Sequence, residues 1–292
     1  MKQIYYLNNC KLLVNVGKRN MVKLSSTSAL VLLWAKDKCY KSKNAKDYLS
    51  LLDLSSGKKL YEECHKIWQF YDEVIISRKF GVLNLIHKVI ADDTNISQII
   101  IAGAGLDALG IEVISFYPNI KVFELDNENM DAKSEYASKV ERIQQSQIAF
   151  LNANLQNIQE VIAMLQTRGW NPNEDSLLIM EGISYYLTPT TAKKLIEVIK
   201  PKRMVFEFLK QKEDVDFKRA IIADKVFGLI SNQCDCPEIV RYNYSKIGKV
   251  FNLSILTKYS MKQLELERTG TNRHFLTENS GWIDICLLEG KF

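Results

Sequence analysis

A short apolar run that ends in glycines, followed by a second apolar run that ends in an acid, constrains the fold of this chain most. The first run is 99–102, and it leads into Gly103-Ala104-Gly105. The second run is 122–125, and Asp126 follows it. In a nucleotide-binding α/β unit, the glycines let the backbone approach a ligand closely, and the acid accepts hydrogen bonds from ribose hydroxyls. The stretch therefore predicts an α/β fold with a site for an adenosine-bearing cofactor.

From about residue 97 onward, apolar runs of strand length alternate with helical segments. We predict strands at 98–102, 120–125, 147–151, 177–180 and 204–208. We predict helices between them at 129–144, 158–168 and 190–199. Strands that alternate with helices of this length pair in parallel and are joined by right-handed crossovers. The chain therefore predicts a doubly wound, mostly parallel sheet.

The two ends of the chain differ from this alternating region. Helical patterns at 29–38, 47–54 and 58–89 predict an N-terminal helical cap, 1–95, on an α/β core, 96–292. Further helices are predicted at 218–229 and 260–267, within a lid insertion at about 211–270. The last two apolar runs, 272–277 and 282–288, flank Glu278-Asn279-Ser280-Gly281. That pattern predicts an antiparallel hairpin at the C-terminus.

Composition argues against several classes of protein. The 39 basic and 34 acidic residues give a net charge of +5 without a dense basic run, so we expect no nucleic-acid partner. Six cysteines are too few for a disulfide scaffold, and the lone pair Cys234 and Cys236 is a poor zinc motif. No run approaches the ~20 apolar residues that cross a bilayer. The N-terminus is a weak signal-peptide candidate. We therefore expect a cytoplasmic protein with no metal.

The glycine run leaves more than one cofactor open. Residues 103–108 fit the G-x-G-x-x-A form of a dinucleotide fingerprint, so an NAD- or FAD-dependent oxidoreductase is one alternative. However, nearly 100 residues of helical character precede the glycines, and Asp107 would lie where a pyrophosphate has to bind. A carboxylate there is compatible with S-adenosylmethionine, whose methionine part carries an ammonium group. A third reading is that the glycines only form a tight turn.

Motifs from residue 103 onward narrow the choice of cofactor. The glycine run reads Gly103-Ala104-Gly105-Leu106-Asp107, and the second strand reads Val122-Phe123-Glu124-Leu125-Asp126, with Lys133 downstream. A later block reads Glu181-Gly182-Ile183-Ser184-Tyr185-Tyr186-Leu187-Thr188-Pro189, and Asn154-Leu155 lies between. Together these motifs resemble the leucine carboxyl methyltransferase family, which has G-A-G-L-D-T, V-F-E-V-D, a D-L pair and E-G-x-x-x-Y-L-x-P. Residues 28–36, Arg78 and Gly281-Trp282 add weaker similarity.

The resemblance implies a class I S-adenosylmethionine-dependent methyltransferase with a Rossmann-like, seven-stranded sheet and helices on both faces. It also implies a role for each matching residue. Gly103, Gly105 and Asp107 would lie near the methionine part of the cofactor, and Lys36 and Arg78 would pair with its carboxylate. Asp126 (or Glu124 on the same face) would bind the ribose, and Asn154 and Leu155 would contact adenine. Glu181 and Tyr186 would line the mouth of the cofactor and substrate site as candidate catalytic residues.

Three positions depart from the family pattern. Ala108 replaces a frequent threonine, and Asn154 replaces a carboxylate, which keeps an acceptor for the adenine amino group. Lys36 replaces arginine, which removes bidentate geometry. None of these changes removes the predicted ability to bind the cofactor.

The resemblance further implies an acceptor oxygen on a small molecule or a peptide C-terminus. A carboxylate acceptor is ionised at neutral pH and needs no general base. This fits a chain whose three histidines, His65, His87 and His274, show no catalytic or metal-ligand spacing. Residues 242–246 are predicted either to contact the acceptor or to form an exposed loop. A protein that binds the cofactor without catalysis is the remaining alternative.

Overall fold

The computed structural model describes residues 26–234 and 238–292. Helices and strands are numbered in chain order within these ranges. Before the first strand, α1 spans Ser26–Ala35, α2 Lys43–Ser50, α3 Lys58–Ile67 and α4 Tyr71–Asp92. The alternating region consists of β1 Gln98–Ala102, α5 Leu109–Phe116, β2 Lys121–Asp126, α6 Met130–Ser138, β3 Ile148–Asn152, α7 Ile158–Thr167, β4 Ser176–Met180, α8 Pro189–Ile199 and β5 Arg203–Leu209. The last part comprises α9 Phe217–Cys234, α10 Tyr244–Phe251, β6 Ser254–Ser260, α11 Met261–Thr269 and β7 Ile283–Glu289.

The strands form one seven-stranded sheet in the order β3-β2-β1-β4-β5-β7-β6. The first five strands are parallel, and β7 runs antiparallel to both β5 and β6. Every residue of β1 and β4 is buried, as expected for short apolar runs at the centre of a sheet covered on both faces. The predicted doubly wound fold, mostly parallel with an antiparallel C-terminal pair, is confirmed.

Two hydrophobic cores cover the two faces of the sheet. Alternate strand residues explain the division, since Ile99 and Ile101 join one core and Ile100 joins the other. The first core is formed with α1–α6, α9 and α11, and the second with α7, α8 and α10. The predicted N-terminal cap therefore shares a core with the sheet, and the division of the chain into 1–95 and 96–292 stays a prediction.

Local sequence signals explain where several helices begin. The Thr188 side chain accepts a hydrogen bond from the Thr191 amide, and Pro189 follows it at the first helical position of α8. Ser260 and Gln263 form a reciprocal capping box at the start of α11. Among the described residues, no helix has both the length and the apolar character needed to span a membrane.

Two sequence predictions differ from the structure in detail. The first strand of the C-terminal antiparallel pair is β6, not the predicted 272–277, and α11 lies between the paired strands. The amides of Arg273, His274 and Phe275 instead donate to the buried Glu265 carboxylate. The predicted helix at 58–89 is divided at Trp68, whose backbone is extended (φ −155°, ψ 112°).

Candidate functional site

A cavity with two lobes opens at the carboxyl ends of β1–β4. The strand order reverses between β1 and β4, and such a reversal creates a crevice where α/β folds bind ligands. The outer lobe has a volume of about 590 Å³, and the inner lobe about 280 Å³. Both volumes are of the order of small-molecule sites. Gly103, Asp126 and Tyr186 line both lobes, so the two are continuous.

Gly103 and Gly105 form the turn between β1 and α5, and each has to be glycine for a different reason. Both have positive φ angles, 71° and 50°, which glycine adopts without strain. A β-carbon on Gly103 would lie 2.7 Å from the β-carbon of Ile183, in the β4–α8 loop. A β-carbon on Gly105 would lie 3.6 Å from Ser28 Oγ, an ordinary van der Waals distance. Gly103 therefore lets a neighbouring loop approach, whereas Gly105 leaves space at the cavity.

Asp126 ends β2 at the junction of the two lobes. Its Oδ2 accepts a hydrogen bond from the Gly105 amide at 2.8 Å, and Oδ1 accepts one from the Glu128 amide at 3.4 Å. These contacts hold the carboxylate at the cavity wall, beside the glycine turn.

The outer lobe is lined by the segments that follow β2 and β3. Asn127, Glu128 and Asn129 contribute on one side, with Asn154 and the largely buried Leu155 on the other. The Asn154 Oδ1 accepts from the Gln156 amide at 2.9 Å, so this side chain also fixes a local turn. Asn154 and Leu155, the predicted adenine-contacting pair, thus line the same lobe as Asp126.

The inner lobe contains a cluster of buried opposite charges. Arg78 and Lys79, adjacent on α4, meet Asp107 from the glycine turn and Glu181 from the end of β4. Arg78 Nε lies 3.1 Å from Glu181 Oε1, and Lys79 Nζ lies 2.9 Å from a Glu181 carboxylate oxygen. Lys79 also forms an ion pair with Asp107. Tyr40 donates its hydroxyl to Asp107 from the other side.

These contacts favour the ionised forms of Lys79 and Asp107 despite their burial. Burial alone would raise the pKa of Asp107, but Lys79 and the hydrogen bonds from Lys79 and Tyr40 lower it below its usual value. Burial opposes the charge on Lys79 as well, yet Asp107 and Glu181 raise its pKa above the usual value. The cluster thus sets two basic side chains, Arg78 and Lys79, against two acidic ones, Asp107 and Glu181.

The rest of the inner lobe is largely apolar. Tyr185 and Tyr186 follow Glu181, with ring centroids 4.8 Å apart. Phe227 and Ile230 of α9 close the lobe, and Phe227 packs edge-on against Tyr185. The remaining apolar lining comes from Leu30, Val31, Leu32, Trp34, Tyr71, Ile75 and Ile283. Charge is thus concentrated at one side of a mostly apolar chamber.

Not every sequence-predicted residue reaches this cavity. Glu124, the alternative ribose ligand, is fully buried and pairs with Lys133 Nζ at 2.5 Å, while its Oε1 accepts from the Gly110 amide at 3.0 Å. Lys36, the predicted carboxylate partner, is not among the described residues that line either lobe. Neither Glu124 nor Lys36 thus lines the cavity, and their roles at the cofactor stay predictions.

The predicted lid reaches the cavity through one helix. Of the described part of 211–270, only α9 supplies lining residues. The segment 242–246 does not, since Tyr242 is buried on the opposite face of the sheet against Phe206 and Phe251. A contact of Tyr242 with the acceptor, one of the two predictions for this segment, does not fit that position.

Sequence reasoning missed Lys79, Tyr40 and the fully buried Glu207. Lys79 directly follows Arg78, and two consecutive cations in the apolar middle of α4 are the one signal that pointed to it. Tyr40 and Glu207 had no such signal, because a tyrosine in a loop and an acid in a strand have many other uses.

The cavity fits S-adenosylmethionine better than a dinucleotide. Two cations and two carboxylates can satisfy the carboxylate and the ammonium of an amino acid at the same place. A pyrophosphate would need the amides at the start of α5. There the Asp107 carboxylate already accepts from the Ala108 amide at 2.7 Å, and its negative charge would repel a phosphate.

Comparisons with solved structures show the same fold. A DUF574 family protein from Streptomyces avermitilis aligns with a TM-score of 0.63 at 10% identity, over 88% of this chain and 99% of its own. A proposed methyltransferase from Thermobifida fusca aligns with a TM-score of 0.63 at 14% identity, over 89% and 97%. The plantazolicin methyltransferase BamL, in complex with a triazolic desmethylPZN analog and SAH, gives 0.51 at 8% identity, over 92% and 97%.

Sequence comparison identifies the family. No curated protein matches the chain. The sequence profile of leucine carboxyl methyltransferases matches residues 42–200, which is more than half of the 292 residues. That span contains the glycine turn, Asp126 and the block that begins at Glu181. The chain therefore belongs to the leucine carboxyl methyltransferase family, class I methyltransferases whose cofactor is S-adenosyl-L-methionine.

Proposed function

We propose that this protein methylates an oxygen, in the first place a carboxylate oxygen, of a small apolar acid or a peptide C-terminus. The observation that carries the proposal is the inner lobe, where a zwitterion-binding charge cluster borders an apolar chamber. The family name supports the carboxyl group as acceptor.

The chain's own residues divide the cofactor between the two lobes. Asp126, held by the Gly105 amide, would accept hydrogen bonds from the ribose hydroxyls, and Asn154 and Leu155 would contact the adenine in the outer lobe. Arg78 and Lys79 would pair with the carboxylate of the methionine part. Asp107 and Glu181 would pair with its ammonium group, and each charge in the cluster would then exchange one partner for another rather than lose it.

When bound, S-adenosylmethionine supplies a methyl group that is already activated by its sulfonium. The protein's task is then to orient the acceptor and to exclude water, and orientation alone can contribute ~7–11 kcal/mol. The walls formed by Trp34, Phe227 and Ile230 exclude water and favour an apolar acceptor body. Tyr186, which lines both lobes, would lie at the boundary between cofactor and acceptor.

A carboxylate acceptor suits the titratable groups of this lobe. The described residues that line it include no histidine, and the pKa of Asp107 is low, which makes it a weak base. A carboxylic acid is already ionised at neutral pH and needs no base. A phenol or an alcohol would need one.

The proposal is tested with methyl-labelled S-adenosylmethionine and a panel of aliphatic and aromatic acids, N-blocked leucine, and matched alcohols and phenols. We expect label to transfer to acids and to be released as volatile methanol by mild alkali, because esters are base-labile. Label in a base-stable product would contradict carboxyl methylation. Cofactor binding without transfer to any acceptor would favour the non-catalytic alternative.

Asp126→Ala tests the cofactor site in the same assay. We expect this variant to lose both cofactor binding and transfer. Asp131→Ala is the matched control, since Asp131 lies on the first turn of α6 and does not line either lobe. Unchanged transfer by the Asp126 variant would remove this residue from the site.

A further inference from the structure

Glu207, in the second half of β5, is a buried acid beside the inner lobe that the proposed function does not use. It is fully buried. Its Oε2 accepts a hydrogen bond from the Gly182 amide and lies 3.8 Å from Arg78 Nε. Its Oε1 finds no hydrogen-bond partner among the described residues. Burying an ionised carboxylate with one unsatisfied oxygen costs free energy, so the surroundings of Glu207 disfavour its charged form.

The groups around Glu207 come from three elements. Arg78, Lys79 and Tyr71 face it from α4, Glu181 and Tyr185 from the segment after β4, and Ile285 of β7 lies opposite in the sheet. Burial raises the pKa of Glu207, Arg78 opposes this, and Glu181 adds to it, so that the pKa lies above its usual value. The pKa values of the Tyr71 and Tyr185 hydroxyls are also raised by burial, and both phenols are neutral at neutral pH.

Counting charges shows what a proton on Glu207 does. Arg78 and Lys79 balance Asp107 and Glu181, so the cluster is neutral when Glu207 is protonated and has one excess negative charge when it is ionised. S-adenosylmethionine carries a net positive charge, because its carboxylate and ammonium cancel and its sulfonium remains. S-adenosylhomocysteine, which lacks the sulfonium, is net neutral.

We propose that Glu207 holds a proton in the ligand-free protein and releases it to solvent when a ligand with net positive charge occupies the inner lobe. The carboxylate formed then balances the sulfonium, whereas a neutral ligand leaves the proton in place. Glu207 is thus a positioning residue that distinguishes cofactor from product by charge. This inference rests on the proposed cofactor site, and its consequence is that rising pH strengthens cofactor binding relative to product binding.

Isothermal titration calorimetry measures the proton count directly. S-adenosylmethionine and S-adenosylhomocysteine are each titrated in phosphate and in imidazole, whose ionisation enthalpies differ, from about pH 6 to pH 7.5. Binding of S-adenosylmethionine should release more protons than binding of S-adenosylhomocysteine. The difference between the two should approach one proton per bound ligand at its maximum. Over the same range the Kd for S-adenosylmethionine should fall by up to about tenfold per pH unit relative to that for the product, the limit for one linked proton.

Variants assign the proton to one carboxyl group. Glu207→Gln keeps a carbonyl oxygen for the Gly182 amide and should bind both ligands with equal proton release. Asp284→Asn is the matched control, because Asp284 is also buried, its pKa is raised to about 6 by burial, and it lies on the other face of the sheet. This control should keep the wild-type difference.

The outcomes separate this inference from the proposed function. Equal proton release by the two ligands in the wild-type protein overturns the role of Glu207 even if the Gln variant fails to fold. A difference that persists in a folded Glu207→Gln protein overturns it as well. If neither ligand binds the wild-type protein, the proposed function fails and the inference fails with it.

Discussion

Gly103→Ala is the substitution for which the structure makes the most specific prediction. The new β-carbon would lie 2.7 Å from the Ile183 β-carbon, and the backbone has a φ of 71°. The left-handed conformation costs alanine ~1–2 kcal/mol, and overpacking adds ~1–3 kcal/mol. The variant should therefore be about 2–5 kcal/mol less stable than the wild type, a large part of a typical domain's stability.

Gly105→Ala separates strain from overlap. Its φ is 50°, but its β-carbon would have 3.6 Å of space to Ser28 Oγ, so we expect a loss of only ~1–2 kcal/mol. Its methyl group faces the cavity and should weaken S-adenosylhomocysteine binding. Gly103→Ala should affect stability more than Gly105→Ala does.

Urea unfolding followed by circular dichroism measures both variants. Removing the contacting atoms provides the decisive control, since Ile183→Gly deletes the β- and γ1-carbons that would each lie 2.7 Å from the new methyl group. It should recover the overlap part, ~1–3 kcal/mol, in a double-mutant cycle with Gly103→Ala. Equal losses for the two glycine variants, or no coupling between Gly103 and Ile183, would refute the argument from close approach.

Three further predictions concern other charged groups. Lys79→Met should weaken S-adenosylhomocysteine binding by at least about tenfold in calorimetry, equivalent to ~1.4 kcal/mol. Lys36→Met should leave this binding unchanged. If Lys36→Met weakened binding more than Lys79→Met did, the sequence-based assignment of Lys36 would be restored. Glu124→Gln should reduce the free energy of unfolding by ~3–5 kcal/mol, because Lys133 would keep a buried charge without its partner, and unchanged stability in urea would contradict this. Burial raises the pKa of Asp284 to about 6, so the folded protein retains this proton after the unfolded chain has lost it. The free energy of unfolding should therefore fall by about 3 kcal/mol as the pH rises from about 4 to about 6. Urea unfolding measured at several pH values should show this fall in the wild type and not in Asp284→Asn.

The parallel strands were predictable from the sequence because they are short, apolar and bounded by polar residues. β1 occupies Gln98–Ala102, as predicted, and β2–β5 differ from prediction by at most one residue at each end. The edge strand β6 was not predicted. Its residues are only partly buried, and a bulge interrupts its register between Ile255 and Thr257.

The wrong strand at 272–277 shows the limit of local patterns. This segment has the composition of a strand, but the amides of Arg273, His274 and Phe275 donate to a single buried carboxylate, Glu265 of α11. A side chain from a helix can thus replace part of a strand partner, and no local signal reveals it. The break at Trp68 is similar, since Trp68 packs edge-on against Phe275 and Trp282, which are distant in the sequence.

The candidate site also contains residues that local sequence patterns predict and residues whose position depends on tertiary packing. Gly103, Asp126 and Asn154 were predictable because a strand end fixes both their position and their direction. Lys36 and Lys79 lie on or beside helices, where the choice between cavity and solvent depends on tertiary packing. Sequence reasoning selected Lys36, but the structure brings Lys79 to Asp107 and Glu181.

Titration of the purified protein with S-adenosylhomocysteine, with NAD in parallel, shows whether the cavity is a site for S-adenosylmethionine. We expect micromolar binding of S-adenosylhomocysteine, no binding of NAD, and loss of the former in Asp126→Ala. Binding of NAD alone, or unchanged S-adenosylhomocysteine affinity in Asp126→Ala, would contradict it.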